Sequence, residues 1–190
     1  MRSFLAFTFF ITAIFLSPFA HALYTEVGVS YTYKKTSFSK DDVLDSQSLT
    51  GSLSFYIWER IALELSYTDG LAVRKERPPG NYPVREITQY STIYGSDLIF
   101  GFADKKDTFQ PYIKGGIAYI SKKQVVQDKG YQSWEIKPKA AYAPSYGIGV
   151  RIMVSENFSL KASYDGWQTP VDDGVSTTDA AGRLGFSWLF

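Results

Sequence analysis

The sequence predicts an all-β protein: an eight-stranded antiparallel, up-and-down transmembrane β-barrel. Three observations predict it. Eight runs alternate strictly between apolar and polar residues, which marks strands with two unlike faces. The connections between runs are short and long in turn, as in barrels of the bacterial outer membrane. Aromatic residues gather at two levels along the runs, as they do at the two lipid–water interfaces.

The first element lies outside the barrel. Met1-Arg2-Ser3 precedes an apolar run over residues 4–16, followed by Ser17-Pro18-Phe19-Ala20-His21-Ala22. A positive start, an apolar middle and small residues at Ala20 and Ala22 predict a secretory signal peptide over residues 1–22, cut after Ala22, and a barrel domain over 23–190. The apolar run is too short to span a bilayer as a helix, which takes about 20 residues. Removing Arg2 and His21 leaves 19 of the 20 basic groups against 19 acidic ones, with no histidine and no cysteine. Thiol chemistry, thiolate zinc sites and histidine-based catalysis are therefore excluded from the mature chain. A zero net charge also excludes the basic footprint of a nucleic-acid binder.

The runs follow in order. From 24 to 35, Val27, Val29, Tyr31 and Tyr33 oppose Glu26, Gly28, Ser30 and Thr32. From 48 to 58, Leu49, Leu53, Phe55 and Ile57 oppose serine and threonine. From 61 to 68, Ile61, Leu63, Leu65 and Tyr67 oppose Ala62, Glu64, Ser66 and Thr68. The fourth, 87–102, is less regular, with Tyr90, Tyr94, Leu98 and Phe100 against Gln89, Ser91, Gly95 and Asp97. The fifth, 109–120, sets Ile113, Ile117 and Tyr119 against Lys114, Gly116 and Ala118. The sixth, 142–152, carries Tyr146, Ile148, Val150 and Ile152 against Ser145, Gly147, Gly149 and Arg151, and contains Pro144, whose missing N–H asks for a bulge or a later strand start. The seventh, 158–165, sets Leu160, Ala162 and Tyr164 against Lys161, Ser163 and Asp165. The eighth, 180–190, sets Leu184, Phe186, Trp188 and Phe190 against Arg183, Gly185 and Ser187.

Alternation alone also fits a soluble barrel with its apolar phase inside. Charge placement favours the membrane: the apolar phase holds no Asp, Glu, Lys or Arg in the strand centres, where an outward Lys or Arg would cost about 2–4 kcal/mol. The polar phase is mostly Gly, Ala, Ser and Thr, which suits the crowded interior of eight strands. Its charges, Glu26, Glu64, Asp97 and Asp165 with Lys114, Arg151, Lys161 and Arg183, are expected to pair inside the lumen, because unpaired burial costs several kcal/mol per ion. Such a network plugs the bore; the alternative is a gated ion path.

Long connections are expected near 36–47, 69–86, 121–141 and 166–178. The third carries Lys122, Lys123, Lys129, Lys137 and Lys139 against Asp128 and Glu135, and the fourth carries Asp165, Asp172, Asp173 and Asp179 without a base. These neighbours are expected either to pair or to meet lipopolysaccharide phosphates and a divalent cation, although no EF-hand spacing is present. The second, with Pro78-Pro79-Gly80-Asn81-Tyr82-Pro83, is a candidate site for a surface ligand. No cofactor or resident metal is expected.

The final segment, Gly182-Arg183-Leu184-Gly185-Phe186-Ser187-Trp188-Leu189-Phe190, resembles the C-terminal signal that outer-membrane barrels present to their insertion machinery, with Phe186, Trp188 and Phe190 as its aromatics. Gln110-Pro111-Tyr112-Ile113-Lys114-Gly115-Gly116-Ile117-Ala118-Tyr119 resembles the fifth strand of the OmpA-like and OmpW-like small barrels, and Ser159-Leu160-Lys161-Ala162-Ser163-Tyr164 their seventh. The resemblance implies an outer-membrane location, contact with outer-membrane lipids and lipopolysaccharide, and a non-enzymatic structural or surface-interaction role through four extracellular loops. The OmpW-like side implies a narrow conduit instead. No peptidoglycan-binding domain follows the last strand, so no cell-wall tether is expected. Enzymatic small barrels use a histidine base, which the mature chain lacks; Lys161 and Ser163 share a face, but interior strand positions are expected to be polar in any case.

Overall fold

In a computed structural model the described residues are 24–39, 42–76, 85–128, 133–170 and 176–190. The cleavage positions Ala20 and Ala22, the proline-rich stretch 78–83, Lys129, Asp172 and Asp173 lie outside them. The strands are β1 (Thr25–Ser39), β2 (Asp42–Trp58), β3 (Ile61–Glu76), β4 (Arg85–Gly101), β5 (Phe109–Asp128), the three-residue β6 (Trp134–Ile136), β7 (Ala141–Met153), β8 (Phe158–Pro170) and β9 (Ser176–Leu189). All pairings are antiparallel. Eight strands close into a barrel, β1 pairing β9 at the seam, while β6 adds only to the outer end of β5.

The register gives the barrel its dimensions. Cross-strand partners run from Tyr142 through Tyr119, Tyr94, Tyr67, Gly51, Val29, Phe186 and Leu160 to Ile152, returning to β7 ten residues from the start. For eight strands spaced ~4.8 Å apart with ~3.3 Å rise per residue, that shear sets a tilt of about 40° and a radius of about 8 Å. The ten residues from Tyr142 to Ile152 then span about 25 Å along the axis, the height of an outer-membrane apolar band.

The apolar phase faces outward. Tyr142 and Leu184 are 73% and 71% exposed, whereas inward Glu26 and Glu64 are 2% and 4% exposed. Tyr67, Tyr94, Tyr119 and Tyr142 form an outer row with centroids 5.1 to 6.4 Å apart. Phe158 packs against Phe186 and Trp188 at 6.1 and 5.9 Å, and Phe100 against Phe102 at 5.5 Å, near the short turns.

The long connections depart from the expectation, because much of each is strand. β1 and β2 stay paired to Ser39 and Asp42, β3 and β4 to Glu76 and Arg85, and β8 and β9 to Pro170 and Ser176. Beyond the lipid both faces of a strand meet water, so alternation fades while the ladder continues. Arg74 clamps Asp42 through bonds of 3.0 and 2.8 Å, and Arg85 clamps Asp128 through 2.7 and 3.2 Å. Hydrogen bonds from these guanidiniums hold both carboxyls below the usual carboxylate range. Pro144 needs no bulge: it pairs with Ile117 of β5, and pairing with β8 starts only at Ser145–Trp167, which leaves it an unpaired flank.

Candidate functional site: a layered lumen beneath a polar vestibule

Inward positions of a tilted barrel stack in layers, and here the layers differ in chemistry. At the short-turn end, Tyr56, Ala62, Ile99 and Tyr112 form a buried apolar cluster with Leu189 against it. The turn after β4 folds beneath: Lys105 Nζ lies 3.6 Å from the Tyr24 ring centre and 4.2 Å from that of Tyr56. Gln110 holds the turn, its amide donating to the carbonyls of Lys105 and Asp107 at 2.9 Å each.

Burial, then Arg151, pushes the Lys105 ammonium down to about 8, so the ring attraction is outweighed by lost hydration and repulsion. A lysine depressed in the fold binds fewer protons there than in the unfolded chain, so its contribution to stability rises with pH from about 8 towards the free value of ~10.4. Unfolding midpoints of the parent and of Lys105→Met, compared from pH 7 to 10, are expected to draw apart in the parent's favour as pH rises. A constant difference would contradict this.

Above that layer all eight predicted lumen charges meet. Arg151 lies 2.7 Å from Glu26, and Lys161 bridges Glu26 and Glu64 at 3.2 and 3.3 Å. Lys114 reaches Glu64, Asp97 and Asp165 at 3.0, 3.7 and 3.2 Å, and Arg183 closes on Asp165 at 2.9 Å. The carboxylates also accept hydrogen bonds: Glu26 from Tyr56 at 2.7 Å, Glu64 from Ser54 at 3.3 Å, Asp97 from Ser145 and Asp165 from Ser163 at 3.2 Å. Seven strands contribute the charges, and β2 supplies Ser54 and Tyr56, so the network crosslinks the whole wall. Asp165, counted above with the fourth loop, therefore belongs to the lumen. The Lys161 ammonium is held by carboxylates and forms no hydrogen bond to Ser163 among the described residues; the serine hydroxyl donates to Asp165 instead.

A second apolar layer, Ile93, Ala118, Ile120 and Ala143 with Trp167 against it, closes the network from above. Ile93 and Ile120, like Tyr56, Ile99 and Tyr112, share the polar phase and escaped sequence reasoning, whereas the sequence already places Ala118 on that face. Parity with Asp97 was the available signal for Ile93 and Ile99. Voids of about 10 Å³ beside Glu26 and Arg151 and about 20 Å³ beside Glu64 and Lys114 are each the size of about one water. The outer half of the bore, by contrast, is a vestibule of about 570 Å³. Lys122 and Asp179 join the third and fourth connections at its wall, 2.7 Å apart. On the outside Lys123 and Lys137 both bind Glu135, at 2.7 and 2.9 Å.

A family model described as the outer membrane protein beta-barrel domain matches residues 5–190. The chain belongs to this family of outer-membrane barrels. Solved structures with the same fold include the N-terminal β-barrel domain of Pseudomonas aeruginosa OprF, at 16% identity and TM-score 0.57 over 88% of this chain and 97% of that one. Neisserial surface protein A shares 16% identity and a TM-score of 0.54 over 88% and 95% of the two chains. Ail, the attachment invasion locus protein of Yersinia pestis, in complex with the heparin analogue sucrose octasulfate, shares 14% identity and a TM-score of 0.56 over 88% and 99%. No curated protein matches the chain by sequence. This outer-membrane barrel shares its architecture with all three proteins.

Proposed function

We propose that this barrel is a closed, non-enzymatic scaffold that holds rigid β-ribbons above the outer membrane for surface interaction. The observation that carries the reading is the contrast between a bore blocked by three layers and strands that continue paired well past the lipid. From Asp69 outward to Glu76, β3 rises about 18 Å at ~3.3 Å per residue and ~40° tilt. Rigid arms lose little freedom when a partner docks. The outward charges Lys35–Asp45, Lys75–Glu86 and Lys123–Glu135 are already paired at 3.9, 3.5 and 2.7 Å, which favours a specific partner over general attraction of lipopolysaccharide phosphates, and leaves lipid contact to the apolar band and tyrosine row. Phe186, Trp188 and Phe190 are outward and exposed on β9 and just beyond it, where insertion machinery would read them.

Planar-bilayer recording with purified protein tests the closed bore: no reproducible single-channel steps are expected. Steps altered by Arg151→Ala would replace this reading with the conduit. Cutting the β1–β2 and β3–β4 ribbons back to short turns is expected to abolish surface attachment while leaving the folded barrel intact.

A further inference from the structure

We infer that the outer vestibule is a binding site for a short saccharide. This deepens the surface-interaction reading by naming the chemistry of a ligand, and it rests on that reading only for the orientation of the vestibule towards the cell exterior. Its volume of about 570 Å³ falls within the range of small-molecule sites, about 300–1,000 Å³. It is far larger than any void in the network below.

The lining selects the ligand class. Ser46, Ser48 and Ser91 present hydroxyls, and Gln124 donates to Gln89 at 2.9 Å, which leaves the Gln89 NH2 and the Gln124 carbonyl oxygen without a side-chain partner among the described residues. Hydroxyls and amides that both donate and accept match a ligand whose own groups are hydroxyls. Arg74 and Lys122 already face Asp42 and Asp179, so the wall does not call for a strongly charged guest. Trp167 at the floor adds an apolar indole face against which the C–H face of a sugar ring packs.

A second, independent observation points to a guest. Thr32 is 7% exposed, and its Oγ1 has no hydrogen-bond partner; the Trp167 indole Nε1 is likewise buried and unpartnered. Both residues line the vestibule. An unsatisfied buried hydroxyl and indole N–H are costly, and a small turn of either side chain towards the vestibule would let a polyhydroxylated ligand satisfy it. Lys34, exposed at the mouth, adds an ammonium that favours a saccharide bearing a carboxylate.

Calorimetric titration of the refolded barrel with maltotriose and with maltotrionate, the same trimer bearing a single carboxylate, tests the inference. Saturable binding of at least one is expected, tighter for the acidic trimer, with Lys34→Gln removing only that preference. Thr32→Val, which deletes a hydroxyl that has no partner in the fold, is expected to weaken binding about 2- to 10-fold, the range of one hydrogen bond, without lowering the unfolding midpoint. A merely structural threonine would not separate the two readouts. Absence of saturable heat with either sugar, or unchanged binding by Thr32→Val, overturns the site. Bilayer recording on the same preparation reports on the closed bore whatever the sugars do, so the two failures are distinguishable.

Discussion

Replacing Lys114 by methionine is expected to destabilise the folded barrel by about 3–5 kcal/mol, the scale of breaking a buried ion network from one side. Lys114 is the cation that faces three carboxylates, Glu64, Asp97 and Asp165. Methionine has nearly its length but no charge, so the lumen keeps its packing and loses its neutrality. Asp165 would retain Arg183 and Glu64 would retain Lys161, but among the described residues Asp97 would be left with the Ser145 hydroxyl, a neutral donor for a buried anion. Urea unfolding of the protein in lipid vesicles, followed by tryptophan fluorescence and by gel mobility before boiling, measures the loss. Adding Asp97→Asn should recover part of it, since the second change removes the stranded charge. A cost below about 1 kcal/mol, typical of an exposed pair, would mean that water reaches the network and that the layers do not seal it.

The second large effect separates two adjacent glycines. Gly116 faces the lumen opposite Asp97, and a Cβ there would collide with the Ser96 carbonyl oxygen and the Asp97 Cα of β4. Gly115 faces outward, with only the Ser145 carbonyl oxygen near, at 3.8 Å. Gly116→Ala is therefore expected to cost about 3 kcal/mol, the upper part of the usual overpacking range, because backbone rather than a flexible side chain must move. Gly115→Ala is expected to be close to neutral. The same vesicle assay compares them, and equal effects would show that the strands relax freely at this point.

Much of this was legible in the sequence. Alternation identified the outward face because lipid tolerates no charge there, and the same rule confined Glu26, Glu64, Asp97, Lys114, Arg151, Lys161, Asp165 and Arg183 to one bore, where the structure brings them together. Two things were not legible. The strand extensions, such as β5 from Ser121 to Asp128, leave the membrane, and with water on both faces no pattern distinguishes a ribbon from a loop. The apolar layers depend on which inward residues share a height, and that follows from the register rather than from any one strand. Ile93 and Ile120 sit singly in the polar phases of their strands, and only the cross-strand pairing places them directly opposite one another.

The ten-residue return from Tyr142 to Ile152 has a consequence for assembly. Every other junction in the wall is between strands adjacent in sequence or nearly so, but β1 must find β9 across the length of the chain, and their ladder runs only from Glu26–Leu189 to Tyr31–Leu184. A slip of two residues at that seam keeps every side chain on its proper face, so lipid does not penalise it, yet it changes the bore radius by about 0.7 Å. The caliper that rejects the slip is inside: Glu26 on β1 must meet Arg151 and Lys161, on β7 and β8, at the height where they wait. The charges at the centre of the barrel thus gauge its diameter as it shuts.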